Sequence, residues 1–89
     1  MAYKPENLSV LSYANGFTLW HYRTTDNTTD VDTSGYFNAA AKMIRPGDFI
    51  FVNAGLGGTP SHGIMVILSN ADGVVNASNV LAFGAVDTD

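Results

Sequence analysis

Residues 49–53 (FIFVN) and 63–69 (GIMVILS) are apolar at almost every consecutive position. Side chains alternate across a strand, so either segment, once extended, puts apolar groups on both faces of a sheet. A hairpin does nearly the same. Residues 8–13 (LSVLSY) and 17–23 (FTLWHYR) flank Ala14-Asn15-Gly16, and Asn-Gly tolerates the positive φ of tight hairpin turns. In the second arm, Phe17, Leu19, His21 and Arg23 share one face and Thr18, Trp20 and Tyr22 the other. Aromatic and β-branched residues favour strand. A single domain of this length buries only roughly 60–65% of its extended-chain surface. That is too little to cover both faces of every strand. The chain reads as one built to assemble with copies of itself or onto a larger surface.

Small domains usually add disulfides, a metal or a partner to a marginal core. With no cysteine in the sequence, disulfides and thiolate metal sites are excluded, which leaves partner burial as the economical route. Charged residues make up 13% of the chain, against about 25% in an average domain. Ser, Thr, Asn and Gly fill the deficit and suit wet, hydrogen-bonded packing. A net charge of −4 with only four Lys and Arg argues against nucleic acid, which demands a basic footprint. The acidic balance itself reads as solubility. No stretch approaches the roughly 20 apolar residues of a membrane-spanning helix, so no membrane partner is expected. MAYKPENLSV lacks an apolar signal core, and synthesis in a cytoplasm without signal-directed export is the expectation.

Residues 1–7 read as an arm, either frayed or docked on a neighbour, because Pro5 disfavours helix before it. Residues 24–34 (TTDNTTDVDTS) form a polar, acidic loop. The one helical stretch is 34–43. It holds three alanines, can be capped by Thr33 or Ser34, and places Phe37, Ala40, Ala41 and Ile44 on one side. Pro46 ends it, and Arg45-Pro46-Gly47-Asp48 has the sequence of a type II turn. After the strand at 49–53 come a Gly-rich loop (54–62), the strand at 63–69, and a turn at Asn70-Ala71-Asp72-Gly73. A strand at 74–77, a possible further one at 80–85 and an acidic tail (86–89) complete the chain. The fold expected is mainly β: a small antiparallel β-barrel or curled sandwich with one short α-helix, forming a single domain over residues 8–85. Closure is the economical way to remove exposed edges.

Chemistry-bearing motifs are weak. Asp30-Val31-Asp32-Thr33-Ser34-Gly35 matches the first half of a calcium loop, but the position of the bidentate Glu is Ala41, so an Asp-rich helix-capping turn is the better reading. Gly55-Leu56-Gly57-Gly58 leads into a strand rather than a helix, with no Lys to follow, unlike a phosphate cradle. His21 and His62 have no metal-site or hydrolase spacing. No catalytic residue, cofactor or metal is assigned. Trp20 and Tyr22 share a strand face, with Tyr13 a candidate on the facing strand. They suit the core first, an interface anchor second and a sugar-stacking platform third.

The phrase NLSVLSYANGFTLWHYRT, then GYFN with its Ala-rich segment and RPGDFIFV, resembles small uncharacterised proteins encoded in the structural gene clusters of tailed bacteriophages and prophages. The likeness covers residues 7–69. It implies a virion component: a head decoration (cement) protein, or a minor capsid or tail-associated protein, with no catalytic residues to carry over.

The resulting expectation is a non-enzymatic virion protein that stabilises the head by binding the major capsid lattice, or another virion protein, as a homo-oligomer, a trimer being the favoured order. Phe49, Phe51, Ile64, Val66 and Leu68 are expected mostly in the subunit core. Trp20, Tyr22, Ile50, Val52, Met65 and Ile67 are expected to divide between core and inter-subunit contacts. With Tyr3, Leu8, Asp26 and Asp30 they make up the candidate oligomer and capsid interface. The N-terminal arm and the 24–34 loop are the candidate lattice contacts. The alternative is a carbohydrate- or receptor-binding module on a phage particle, which requires Trp20 and Tyr22 to be exposed.

Overall fold

The computed structural model describes residues 3–84. The hairpin forms as its spacing predicts: β1 (Leu8–Ala14) pairs antiparallel with β2 (Phe17–Arg23). Asn15 at φ 50° and Gly16 at φ 89° supply the turn. Two successive residues at positive φ match the right-handed twist of the strands they join. The register shifts between Val10 and Ser12, a bulge at Leu11 that bends the outer strand.

β3 (Phe49–Ala54) lies beside β2 and parallel to it, with Trp20 opposite Ile50 and Tyr22 opposite Val52. Parallel neighbours require a crossover of a dozen residues or more, and residues 24–48 supply it. The crossover contains α1 (Thr28–Val31) and a 3-10 turn (Asn38–Ala40). The helix expected over 34–43 is therefore replaced by turns, and the one α-helical turn falls inside the expected loop. The sheet competes for the backbone groups a helix would use. Gly35, at φ 89°, sends its N–H to the Val75 carbonyl, and Asn38 Oδ1 accepts from Val75 N at 2.8 Å. So short a helix has too little cooperativity to resist. The apolar stripe survives, with Phe37, Ala40 and Ile44 buried.

The Pro46-Gly47 turn forms as read: Gly47 sits at φ 90° and Asp48 N bonds the Arg45 carbonyl at 3.0 Å. β4 (Ser61–Ala71) runs antiparallel to β3. Its second half pairs with β5 (Val74–Ala77) across a two-residue turn, and its first half with β6 (Leu81–Ala82). Gly63 of β4 is buried where β6 passes: a Cβ there would lie 2.5 Å from the Leu81 carbonyl oxygen and from Val80 Cγ1.

The outcome is one mixed six-stranded sheet, ordered β1-β2-β3-β4-β5 with β6 also against β4. It is open, so the expected antiparallel barrel or sandwich is not formed within the chain. The crossover enforces the parallel β2–β3 pair and lies over one face only. That face carries the core: Trp20, Tyr22, Ile50, Val52, Met65, Ile67 and Val75 meet Val31, Phe37, Ala40 and Ile44. The core expected from Phe49, Phe51, Ile64, Val66 and Leu68 is thereby corrected, while the set expected to divide between core and contacts lies in the core. Ile50, Val52, Met65 and Ile67 are core, whereas Phe49 and Leu68 are 42% and 57% exposed and Phe51, Ile64 and Val66 are half-buried on the other face.

Asp48 is the residue that selects the inward face. It lies on the same side of the chain as Ile50 and Val52 and is 1% exposed. Its Oδ1 accepts from Thr18 N (3.0 Å), and its Oδ2 from Trp20 Nε1 (3.2 Å) and Arg45 N (3.0 Å). A buried carboxylate is tolerable only when so satisfied, and these donors exist only on the crossover side of β2.

At the N-terminal side, Tyr3 packs on its own chain. Its ring stacks on Tyr22 at 5.7 Å and meets Phe37 edge-on at 5.5 Å. Residues Pro5–Asn7 make a 3-10 turn into β1. At Tyr3 the arm is thus docked on its own chain rather than frayed. The start of the arm (1–2) and the acidic tail (86–89) lie outside the described residues. Among the described residues no helix is long and apolar enough to cross a membrane.

Candidate functional site

Among the described residues no layer covers the other face of the sheet, and the strand register arranges that face in rows. Leu19, Phe49 and Val66 stand side by side across β2, β3 and β4. The next row is His21, Phe51, Ile64 and Leu81. Phe17 extends the first row and Phe83 caps the second, with ring centroids 5.9 Å from Phe49 and 6.2 Å from Phe51. Such aromatic neighbours stiffen the face. Leu81 is 70% exposed and Phe83 50%. Between Leu81 and Phe49 lies a shallow, largely apolar hollow of about 190 Å³, lined also by Ile64, Met65, Val66, Ser78 and Asn79. An exposed apolar area of this continuity, rather than scattered single residues, marks an interaction surface.

The third row is polar: Arg23, Asn53 and His62. The Asn53 amide joins it to the second row, donating from Nδ2 to His21 Nε2 at 2.7 Å and accepting at Oδ1 from His62 Nδ1 at 2.6 Å. These bonds fix which ring nitrogens carry hydrogen. The two histidines are thus fastened to an amide at one end of the face. Among the described residues no group of three or more His, Cys, Asp or Glu is placed to hold a metal ion.

Most of the interface candidates named from sequence lie elsewhere. Trp20, Tyr22, Ile50, Val52, Met65 and Ile67 are in the core, where a neighbour has no access to them. Buried, Trp20 and Tyr22 also offer no stacking platform for a sugar. Leu8 and Tyr3 are half-buried against that core. Asp26 is buried and accepts from Tyr36 Oη at 2.7 Å, while Tyr36 Oη lies 2.9 Å from Tyr22 Oη. Burial first, then these bonds to Tyr22 and Asp26, push the Tyr36 hydroxyl above its ordinary pKa. Asp30 is half-buried, and its Oδ2 accepts from Asn27 N at 3.4 Å at the start of α1. Asp32 Oδ2 accepts from Val80 N at 3.3 Å. The carboxylates of the calcium-like segment thus fasten the crossover.

The exposed set was present in the sequence but assigned to the core. Leu19, Phe17, Leu81 and Phe83 received no interface role at all. The signal that could have found them is Asp48. An acid one residue before a doubly apolar strand, beside a turn whose N–H groups need acceptors, marks the side that residues 50 and 52 share with it. Comparison of the chain with family models, with curated proteins and with solved structures found no match.

Proposed function

We propose that this chain is a non-enzymatic structural protein of a phage virion, a decoration protein that binds the major capsid lattice and assembles with its own copies. One observation carries the reading: the open sheet face built on Leu19, Phe49, Phe51, Ile64, Val66 and Leu81. A domain of this size gains little from a face left in water, and a partner that binds only the folded state adds stability by mass action. Copies arranged about a symmetry axis would turn that face toward one another. The bulged outer strand β1, with Val10, Leu11 and Tyr13 exposed, is then free to meet the shell. The virion setting itself is the one that the resemblance of residues 7–69, read from the sequence, implies.

The test is direct. Particles purified from a host that carries the gene are imaged at near-atomic resolution and their proteins quantified by mass spectrometry. The proposal expects this chain on the particle at a copy number that is a fixed multiple of the capsid symmetry. Particles that lack the chain while the host expresses it refute the proposal.

A further inference from the structure

We infer that the occupant of the open face is a further copy of this chain, packed sheet to sheet. The inference rests on reading that face as an assembly surface and names what covers it.

Charge is the first argument. The chain carries twice as many acidic as basic residues, eight against four, yet among the described residues the open face presents no carboxylate. Its one formal charge is Arg23, in the polar row at the end. Copies of a chain at net −4 repel as whole bodies, and this is the side on which they approach without setting like charges against each other. A partner with an ordinary charged surface would have to desolvate ions against a face that returns almost no pairing.

Shape is the second. The hollow beside Phe49, Ile64 and Val66 is walled by Leu81, the most exposed large apolar side chain of the same face. Knob and hollow on one surface are what copies of that surface need to interdigitate, at the roughly 10 Å separation of packed sheets. The sandwich that one chain does not form is completed between chains.

Area is the third. Three strands about 4.8 Å apart, each showing five or six residues at about 3.3 Å, with the two residues of β6 beside them, make a patch of roughly 290 Å² in projection. Covered on both copies, with Phe17, Leu68 and Phe83 at its margin, the contact falls below the roughly 1,000 Å² of stable specific interfaces, in the class of weak and transient ones. Association of that class is concentration-dependent, favoured at the local concentration of a shell and weak in dilute solution.

The experiment is sedimentation velocity on the full chain from about 5 to 500 µM, with Phe49→Asp and Leu81→Asp on the face and Val10→Asp on the β1 edge. Trp20 fluorescence reports folding from the opposite face. The expected result is a weight-average mass that rises with concentration to at least twice that of one chain. Folded Phe49→Asp or Leu81→Asp should stay monomeric at the same concentrations, and Val10→Asp should associate like the parent. Leu81, the more exposed of the two, guards against a Phe49 variant that fails to fold. A parent chain that stays monomeric throughout overturns the inference, as does association that survives both face variants or is abolished by Val10→Asp. A monomeric chain still found on particles would leave the virion assignment standing and remove this one. An associating chain absent from particles would do the reverse.

Discussion

Asp48→Asn tests the claim that a single buried carboxylate chooses which face of β3 turns inward. The substitution keeps the shape and removes one acceptor. The carboxylate takes three donors, Thr18 N on one oxygen and Trp20 Nε1 and Arg45 N on the other. The best amide orientation keeps the oxygen where it serves Trp20 and Arg45 and turns Nδ2 toward the Thr18 N–H. One buried backbone donor is then unpaired, at about 1–3 kcal/mol. The two remaining bonds lose their ionic character, at about 0.5 kcal/mol each, and the cheaper burial of a neutral side chain offsets part of this. The net expectation is a loss of about 2–3 kcal/mol. A chain of this length has about 4–13 kcal/mol in total, so the variant should fold and be measurable, whereas Asp48→Ala, with three orphaned donors, should fail or nearly so. The assay is urea unfolding followed by fluorescence of the sole tryptophan, Trp20, whose indole N–H is one of the three donors. With a slope of about 1–1.5 kcal/mol/M, the midpoint should fall by roughly 2 M. A change of less than about 0.5 kcal/mol, or any gain in stability, would refute the argument, because the network would then not be what holds β2, the turn and β3 together.

Other outcomes follow from the same geometry. Ile50→Ala should cost about 2–5 kcal/mol, since Ile50 is fully buried, and its neighbour Phe49→Ala under about 1.5 kcal/mol; the same urea assay compares them, and equal losses would mean that the faces are misassigned. Gly63→Ala should cost about 1–3 kcal/mol and loosen β6, because the added methyl meets the Leu81 carbonyl and Val80; amide exchange at Phe83, whose N–H bonds the His62 carbonyl, should rise. The Tyr36 hydroxyl is pushed up in the folded state, so the fold favours its neutral form. That stabilisation is complete below the unfolded tyrosine pKa of about 10 and is lost as pH climbs above it. Urea midpoints should therefore drop above about pH 10 in the parent and less steeply in Tyr36→Phe; parallel profiles would refute the assignment.

Short-range chemistry was readable from the chain. The Asn15-Gly16 and Pro46-Gly47 turns, the β1–β2 hairpin and the strands at β3, β4 and β5 follow from the steric demands of two or three neighbouring residues, which tertiary context left alone. Even the apolar stripe of Phe37, Ala40 and Ile44 faces inward as the spacing required, although the backbone carrying it is turned rather than helical. There the bonds of Gly35 and Asn38 to Val75, distant in sequence, outcompete a helix too short to hold itself.

What periodicity could not convey is which side of a doubly apolar strand is inside. Phe49 and Phe51 are as apolar as Ile50 and Val52, and a period of two is blind to that choice. The excess of apolar strand surface was therefore determined by sequence alone, and ten large apolar side chains among the described residues remain exposed. Their identity was decided only in three dimensions. The long crossover sets β3 parallel to β2 and covers one face, and Asp48 finds its three donors on that side alone. Phe49 and Phe51 are left on the face that the described residues do not cover.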